Sequence, residues 1–333
     1  MLFNEYFFHF WENVFFPYLD QHNIKQVVHL GDFGERQKYM TFAIADQVHK
    51  RFFMPLRDRG VKITILVGNH DTPSRTDNKV NVVKELFSVW NNIITLIDGP
   101  CDVMFGDVPI CMLPWIHKDN YEETLRHIQE TTNATVAMGH LELEGFEMDK
   151  GNISRHGLSR DLFKKFNMVM SGHYHHKSTD GRIFYLGNTY EITWADYDDP
   201  RGFHIFDTET NDLTFIQNPS RMFHKLYYRD ELPQHPLDIA NSYVRVIVEK
   251  KDNPKMFEEY MRQVHEYEPA KVDVQDIDSE TSIPQDEVSG DTNTLIANYI
   301  DNLPWANVTD NTKGQLKSLM LSLYNEAQAQ ANT

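Results

Sequence analysis

One stretch decides the fold class of this chain: Ile63-Thr64-Ile65-Leu66-Val67-Gly68-Asn69-His70-Asp71. An aliphatic, β-branched run that ends at glycine is typical of a buried strand. The glycine permits a sharp turn, so the polar residues that follow stand at the carboxyl end of the strand. Open α/β sheets place their functional sites at that edge. The stretch therefore predicts an α/β fold with a functional site at the strand ends.

Three further segments follow the same pattern of an apolar run, a glycine and a polar residue. They are Val27–Asp32, Ala134–His140 and Met168–His175. Helical periodicity lies between the first three strands, over 40–56 and 81–90. Strands that alternate with helices favour an α/β core, in which the carboxyl ends of the strands gather at one edge.

Six residues at these strand ends carry side chains that bind divalent metals: Asp32, Asn69, His70, His140, His173 and His175. Carboxylate, amide oxygen and imidazole suit Mn²⁺, Fe²⁺ or Zn²⁺. Two such ions about 3.5–4 Å apart can clamp the attacking and leaving oxygens of a phosphodiester displacement. A carboxylate must bridge the two ions, and Asp32 is the natural candidate. Gly-Asp alone indicates only a turn, but the four motifs together favour a shared site.

The four motifs, in this order, resemble the calcineurin-like metallophosphoesterase superfamily. Further stretches resemble the SbcD-type DNA repair nucleases: Leu113-Pro114-Trp115, Gly139–Phe146, Tyr185–Thr189 and Asp198–Phe203. The last two are most similar to the recombination endonuclease subunit of T-even-type phages. The likeness runs from about residue 13 to about 248. It implies an α/β sandwich with a smaller capping domain and C-terminal helices.

The resemblance also implies a role for each site residue. The implied metal ligands are Asp32 as the bridge, Asn69, His140 and His173 in one site, and His175 in the other. His70 is expected to contact no metal and to stabilise the transition state or protonate the leaving oxygen. Asp71 is expected to orient His70, as carboxylates commonly do for a catalytic imidazole.

The implied activity is that of a hydrolase using two Mn²⁺ ions, with Mg²⁺ as the alternative. Members remove nucleotides 3′→5′ from duplex ends and cut single strands and hairpins in DNA recombination, repair and replication. The implied partners are DNA, a second copy of the chain, and an SMC-like coiled-coil ATPase bound through the C-terminal helices. No membrane is involved, and the expected location is the cytoplasm, that of the host if a phage encodes the chain.

One departure from the family concerns its first strand, which ends in Asp-x-His and supplies two more ligands. Nothing upstream of Val27 provides that motif, so one site is incomplete, with only Asp32 and His175. We expect a truncated or mis-started reading frame that lacks roughly 20 or more residues, a strand plus a loop. The alternatives are a catalytically impaired scaffold that keeps the fold, and another metallophosphoesterase such as a phosphatase.

Composition constrains partners and compartment. Lys and Arg number 32 against 49 Asp and Glu, a net charge of −17 that alone argues against nucleic-acid binding. The segment 271–310 holds nine acidic residues and one basic residue, so much of the acidity belongs to a tail. Only two cysteines occur, which excludes a disulfide framework and favours a reducing cytoplasm. Mean hydropathy is −0.53, and no apolar run is long enough to cross a bilayer.

These patterns predict four regions. A nuclease domain over 1–200 opens with an apolar-striped helix at 1–19, and a capping, DNA-selecting domain follows over 201–268. The latter holds a hairpin over 202–216 and a strand over 243–248. An acidic linker is expected over 269–292, and a helical ATPase-docking segment over 293–333.

Overall fold

The computed structural model describes residues 2–34, 39–74, 76–149, 151–233 and 237–276, with 300, 314 and 316–320. The chain divides into two compact units, Met1–Asp278 and Ser279–Thr333. All the helices and strands named below belong to the first unit. Among the described residues, no helix combines the length and apolar character needed to cross a bilayer.

Short helices, several of which continue directly into π- or 3₁₀-helical turns, cover the sheets. The α-helices are α1 (Leu2–Phe10), α2 (Phe16–Gln21), α3 (Phe42–Val48), α4 (Met54–Asp58), α5 (Val82–Phe87), α6 (Tyr121–Arg126) and α7 (Pro254–Glu266). π-Helical turns span Trp11–Phe15, His49–Phe53 and His127–Thr131. 3₁₀ turns span Ser88–Trp90, Arg160–Phe163 and Trp194–Asp196. The predicted N-terminal helix is thus confirmed as an almost continuous helical segment from α1 to α2.

Two sheets form the body of the first unit. The first contains β1 (Gln26–His29), β2 (Lys62–Leu66) and β3 (Ile94–Ile97), all parallel. The second has the order β10-β11-β9-β6-β5-β4. Its strands are β4 (Cys101–Phe105), β5 (Val108–Leu113), β6 (Val136–Gly139), β9 (Met168–Ser171), β10 (Ser178–Thr179) and β11 (Ile183–Tyr185). A small hairpin pairs β7 (Glu147–Asp149) with β8 (Asn152–Ile153).

Alternation along the strands builds three apolar layers. Leu66 of β2 packs in one cluster with Ile110 and Met138 of the second sheet, so the two sheets face each other. Ile63 and Ile65 point the other way, into a cluster with helical phenylalanines of α1, α2 and the His49–Phe53 turn. The outer face of the second sheet packs on Phe163, Phe166 and neighbours. Helices therefore cover a two-sheet sandwich, as the sequence predicts.

The hairpin of β12 (Gly202–Phe206) and β13 (Leu213–Gln217) belongs to this body. Phe203 packs with Phe10 and Phe15, at ring-centroid distances of 6.1 and 5.2 Å. Leu213 joins the cluster between the two sheets. The predicted domain boundary at residue 201 therefore needs correction, because the apolar side chains of the hairpin are buried against the first domain.

The smaller subdomain begins after this hairpin. It contains β14 (Phe223–Arg229), β15 (Tyr243–Lys250) and β16 (Lys271–Asp276), a parallel sheet covered by α7. Tyr228, Val246 and Val264 are the centre of its separate apolar core. The acidic linker predicted from 269 is wrong over Lys271–Asp276, because Val272 and Val274 give this segment a strand alternation within its acidic composition. Residues 277–292 lie outside the described residues.

The predicted docking segment over 293–333 is described only at 300, 314 and 316–320, which are helical. Within that stretch, Leu319 and Met320 are exposed. The remaining positions of the segment lie outside the described residues.

Candidate metal centre

The predicted site residues stand at the carboxyl ends of two pairs of parallel strands, β1 with β2 in the first sheet and β6 with β9 in the second. Asp32 follows β1, and Asn69 with His70 follows β2. His140 comes directly after β6, and His173 and His175 come after β9. The strand register therefore places the polar ends of both sheets at one edge of the sandwich.

Four of these residues converge tightly. His140 Nε2 lies 2.9 Å from Asn69 Oδ1 and 3.3 Å from Asp32 Oδ2. His173 Nδ1 lies 3.0 Å from the same Asn69 oxygen and 3.3 Å from His140 Nε2. Ligand atoms of Asp32, His140 and His173 all lie within 4.8 Å of one another. The structure thus brings together Asp32, Asn69, His140 and His173.

The tautomer of His140 is fixed by the backbone. Its Nδ1–H donates to the carbonyl oxygen of Leu30 at 2.7 Å, and the residue is 1% exposed. In the neutral ring, Nε2 then carries the lone pair that faces the cluster, which is the arrangement typical of metal-binding histidines.

Four possible metal-binding atoms lie close together in the cluster. A carboxylate, an amide oxygen and two imidazole nitrogens meet at 2.9–3.3 Å. Ligands bound at right angles about 2.1 Å from a small divalent ion are themselves about 3 Å apart. The spacing and chemistry of these donors therefore fit a single hard or borderline cation.

The backbone is strained at two of the four residues. Asp32 has φ 55° and His173 has φ 78°, in the left-handed region that side chains other than glycine rarely adopt. Strain of this kind persists where the surrounding structure fixes it, and it concentrates at functional sites. Gly31 also packs tightly against the cluster, because a Cβ there would lie 2.3 Å from His140 Nδ1.

Burial and neighbouring charges shift the pKa values of the titratable groups of the cluster in different directions. Burial and the neighbouring His140 lower the pKa of His173 to about 3, so its imidazole is neutral. Burial opposes ionisation of Asp32, but the His140 ring and the His70 N–H hold its pKa below the usual value. Burial likewise disfavours the charged form of His140, but Asp32 raises its pKa overall. A neutral imidazole beside an ionised carboxylate is the state that a metal ion requires.

Asp71 and His70 hold the turns that carry the ligands. One oxygen of Asp71 accepts the Gly34 N–H and the other the Gly68 N–H, both at 2.8 Å. The His70 N–H donates to Asp32 Oδ1 at 2.8 Å. Burial and the nearby Asp32 raise the pKa of Asp71 to about 7. Asp71 therefore fastens the β1 and β2 turns together, a contact that the sequence did not predict, and its action on the His70 ring stays a prediction.

His175 does not belong to the four-residue cluster. It lines a cavity of about 700 Å³ that runs along β1 and also reaches Asp32, His140 and His173. The sequence analysis overlooked His29, which lines the same cavity and whose pKa burial lowers to about 4. Its position two residues before Gly31 in the same motif is the signal that could have identified it. Trp115 forms a wall of the cluster, with its ring centroid 5.4 Å from that of His173.

The described residues contain a second group of possible ligands, Asp102, Cys111 and His127. His127 Nε2 lies 3.1 Å from Asp102, and the Thr132 hydroxyl donates to the same carboxylate at 2.9 Å. The carboxylate of Asp102, on the edge strand β4 of the second sheet, is therefore already hydrogen-bonded by protein groups.

Comparisons with known proteins agree with this geometry. The family model of the calcineurin-like phosphoesterases matches residues 6–177, which include all the predicted ligands. The chain is also 32% identical, over 313 residues, to a protein of Enterobacteria phage T4 named exonuclease subunit 1. That match covers 93% of this chain and 90% of the phage protein.

Proposed function

We propose, because the chain belongs to the calcineurin-like phosphoesterase family, that it is the nuclease subunit of a DNA-processing complex. The chain is a hydrolase that acts on phosphodiester bonds. The finer proposal is a Mn²⁺-dependent enzyme that removes nucleotides 3′→5′ from duplex ends and cuts single strands. The name of the T4 relative, an exonuclease subunit, supports both the substrate and the need for a partner.

The convergence of Asp32, Asn69, His140 and His173 carries this proposal. Together these residues would hold one divalent ion, and Asp32 and His175 would contribute to a second. Bound divalent ions lower the pKa of water and neutralise the charge of a phosphate group. His70, whose backbone is fixed to Asp32, would supply a proton to the departing oxygen. Asp71 would keep His70 and the ligands in register by bracing their two turns.

A partner ATPase of the SMC-like type is proposed to bind the C-terminal segment. The described part of that segment is helical and exposes Leu319 and Met320. Exposed apolar residues on a helix suit docking in a groove of another protein. Basic phosphate contacts would come from local basic patches of this chain, whose net charge is −17, or from the partner.

A homodimer is proposed to form through the helices beside the first sheet. Phe42 on α3 is 94% exposed and Val89, after α5, is 72% exposed. The two regions are joined where Trp90 Nε1 donates to His49 Nδ1 at 2.7 Å. Large exposed apolar side chains on adjoining helices are typical of association surfaces.

The cytoplasm of an infected host is the proposed location. Both cysteines, Cys101 and Cys111, are free thiols, which is typical of a reducing compartment.

The test is nucleotide release from linear duplex DNA with and without Mn²⁺, using the wild-type chain and His173→Ala. We expect Mn²⁺-dependent release by the wild type and its loss in the variant. Hydrolysis of a chromogenic phosphate monoester without DNA cleavage would favour the phosphatase alternative. Mn²⁺ binding without turnover on either substrate would favour the scaffold.

A further inference from the structure

A buried ion network lies beside the segment that carries His175. The side chain of Arg201, just before β12, is 5% exposed. Its Nη2 donates to Asp196 Oδ1 at 2.7 Å and to Asp199 Oδ2 at 2.6 Å. Removing three charges from water is costly, and such networks contribute little net stability. A positional role therefore explains the network better than a stabilising one.

The other end of the guanidinium reaches the backbone of His175. Arg201 Nη1 donates to the carbonyl oxygen of that residue. The same carbonyl accepts the N–H of Asn188 at 3.0 Å. One residue further, His176 Nδ1 lies 2.7 Å from the Asp199 oxygen that Arg201 also binds. The network thus fixes the chain at two consecutive positions.

The His175 ring depends on this backbone restraint. His140 and His173, in contrast, have ring contacts that fix them, to Leu30 and Asn69 respectively. Within the part of the chain that the structure describes, no hydrogen bond holds the imidazole of His175 itself. The placement of His175 at the cavity is therefore set by the conformation of residues 175 and 176.

We propose that Arg201 is a positioning residue that holds His175 toward the cavity, ready to bind the second metal ion. The inference rests on the proposed function, since it takes His175 as a ligand. A planar guanidinium can bind two carboxylates and a carbonyl oxygen at once, which a lysine ammonium cannot reproduce. When a residue that orients a metal ligand is removed, the metal affinity typically changes by about 10–100-fold.

The experiment compares Arg201→Lys and Arg201→Met with the wild type and with Arg182→Met. Arg182 is a matched control, since its Nη1 donates to a backbone carbonyl, that of Phe163, at 2.7 Å. Bound Mn²⁺ is counted by electron paramagnetic resonance of the free ion during a titration. Thermal unfolding of each variant is measured alongside, because Arg201→Met removes the guanidinium from two buried carboxylates and Arg201→Lys keeps the charge.

We expect the weaker of two Mn²⁺ sites to lose about 10–100-fold in affinity in Arg201→Lys, with the tighter site unchanged. The Mn²⁺ concentration for half-maximal nuclease activity rises in parallel, and KM for DNA stays constant. Wild-type Mn²⁺ binding in folded Arg201→Lys would overturn the inference and leave the proposed function intact. A wild type that neither binds Mn²⁺ nor cuts DNA would overturn both.

Discussion

The glycine at residue 68 is a sensitive point of the candidate metal centre outside the proposed ligands. A Cβ built there would lie 2.2 Å from Asp32 Oδ1 and 2.3 Å from the Asp32 N atom. Its φ is outside the left-handed region, so the conflict is one of space rather than of backbone conformation. The substitution Gly68→Ala therefore moves the Asp32 carboxylate without altering any of the proposed ligands.

The size of the effect follows from the distance. Asp32 must retreat by about 0.8 Å for the contact to reach 3.0 Å, the lower limit of real Cβ contacts. Metal–ligand distances tolerate only about 0.2 Å, and a misplacement of about 1 Å costs about 100-fold in rate. We therefore expect kcat of Gly68→Ala to fall about 100-fold, or about 2.7 kcal/mol of activation free energy.

The assay is steady-state nucleotide release from linear duplex DNA in Mn²⁺, with unfolding monitored by circular dichroism. Gly99→Ala is the matched control, because a Cβ there meets nothing within 4 Å. The control should keep wild-type activity. A folded Gly68→Ala with kcat within about threefold of the wild type would refute the proposed role of Asp32.

Three further outcomes are expected. His70→Ala should lower kcat by about 10²–10⁴-fold while Mn²⁺ affinity stays unchanged, and weakened Mn²⁺ binding would contradict its assignment as a proton donor. Asp71→Asn can accept only one of the Gly34 and Gly68 N–H groups, so urea unfolding should show a loss of about 1–3 kcal/mol, and unchanged stability would contradict the bracing role. Burial, with Lys177 nearby, lowers the pKa of His204 to about 4, so the folded protein takes up its proton less readily than the unfolded chain. The melting temperature should therefore fall as pH drops from 6.5 toward 4. A fall of equal size in the His204→Phe variant would exclude His204 as its cause.

The sequence was informative where its periodicity and its glycines act locally. The aliphatic, β-branched run Ile63–Val67 predicted a buried strand, and the glycine after it predicted where Asn69 stands. The alternation of strands and helices along the chain then placed Asp32, His140 and His173 at the same edge, because the carboxyl ends of parallel strands lie at one edge of a sheet.

The sequence was less informative where long-range packing decides. The hairpin at 202–217 has an amphipathic pattern that fits either domain, and only the contact of Phe203 with Phe10 and Phe15 assigns it. Lys271–Asp276 is acidic enough for a linker, but pairing with β15 makes it a strand. The bracing by Asp71 and the anchoring by Arg201 join turns far apart in sequence, which no local pattern encodes.

Anomalous diffraction from crystals soaked in MnCl₂ tests the central claim most directly. The account predicts a manganese peak bounded by Asp32, Asn69 Oδ1, His140 Nε2 and His173 Nδ1. The account would be contradicted by a manganese peak only at Asp102, Cys111 and His127. It would also be contradicted by the absence of a manganese peak at the four-residue cluster.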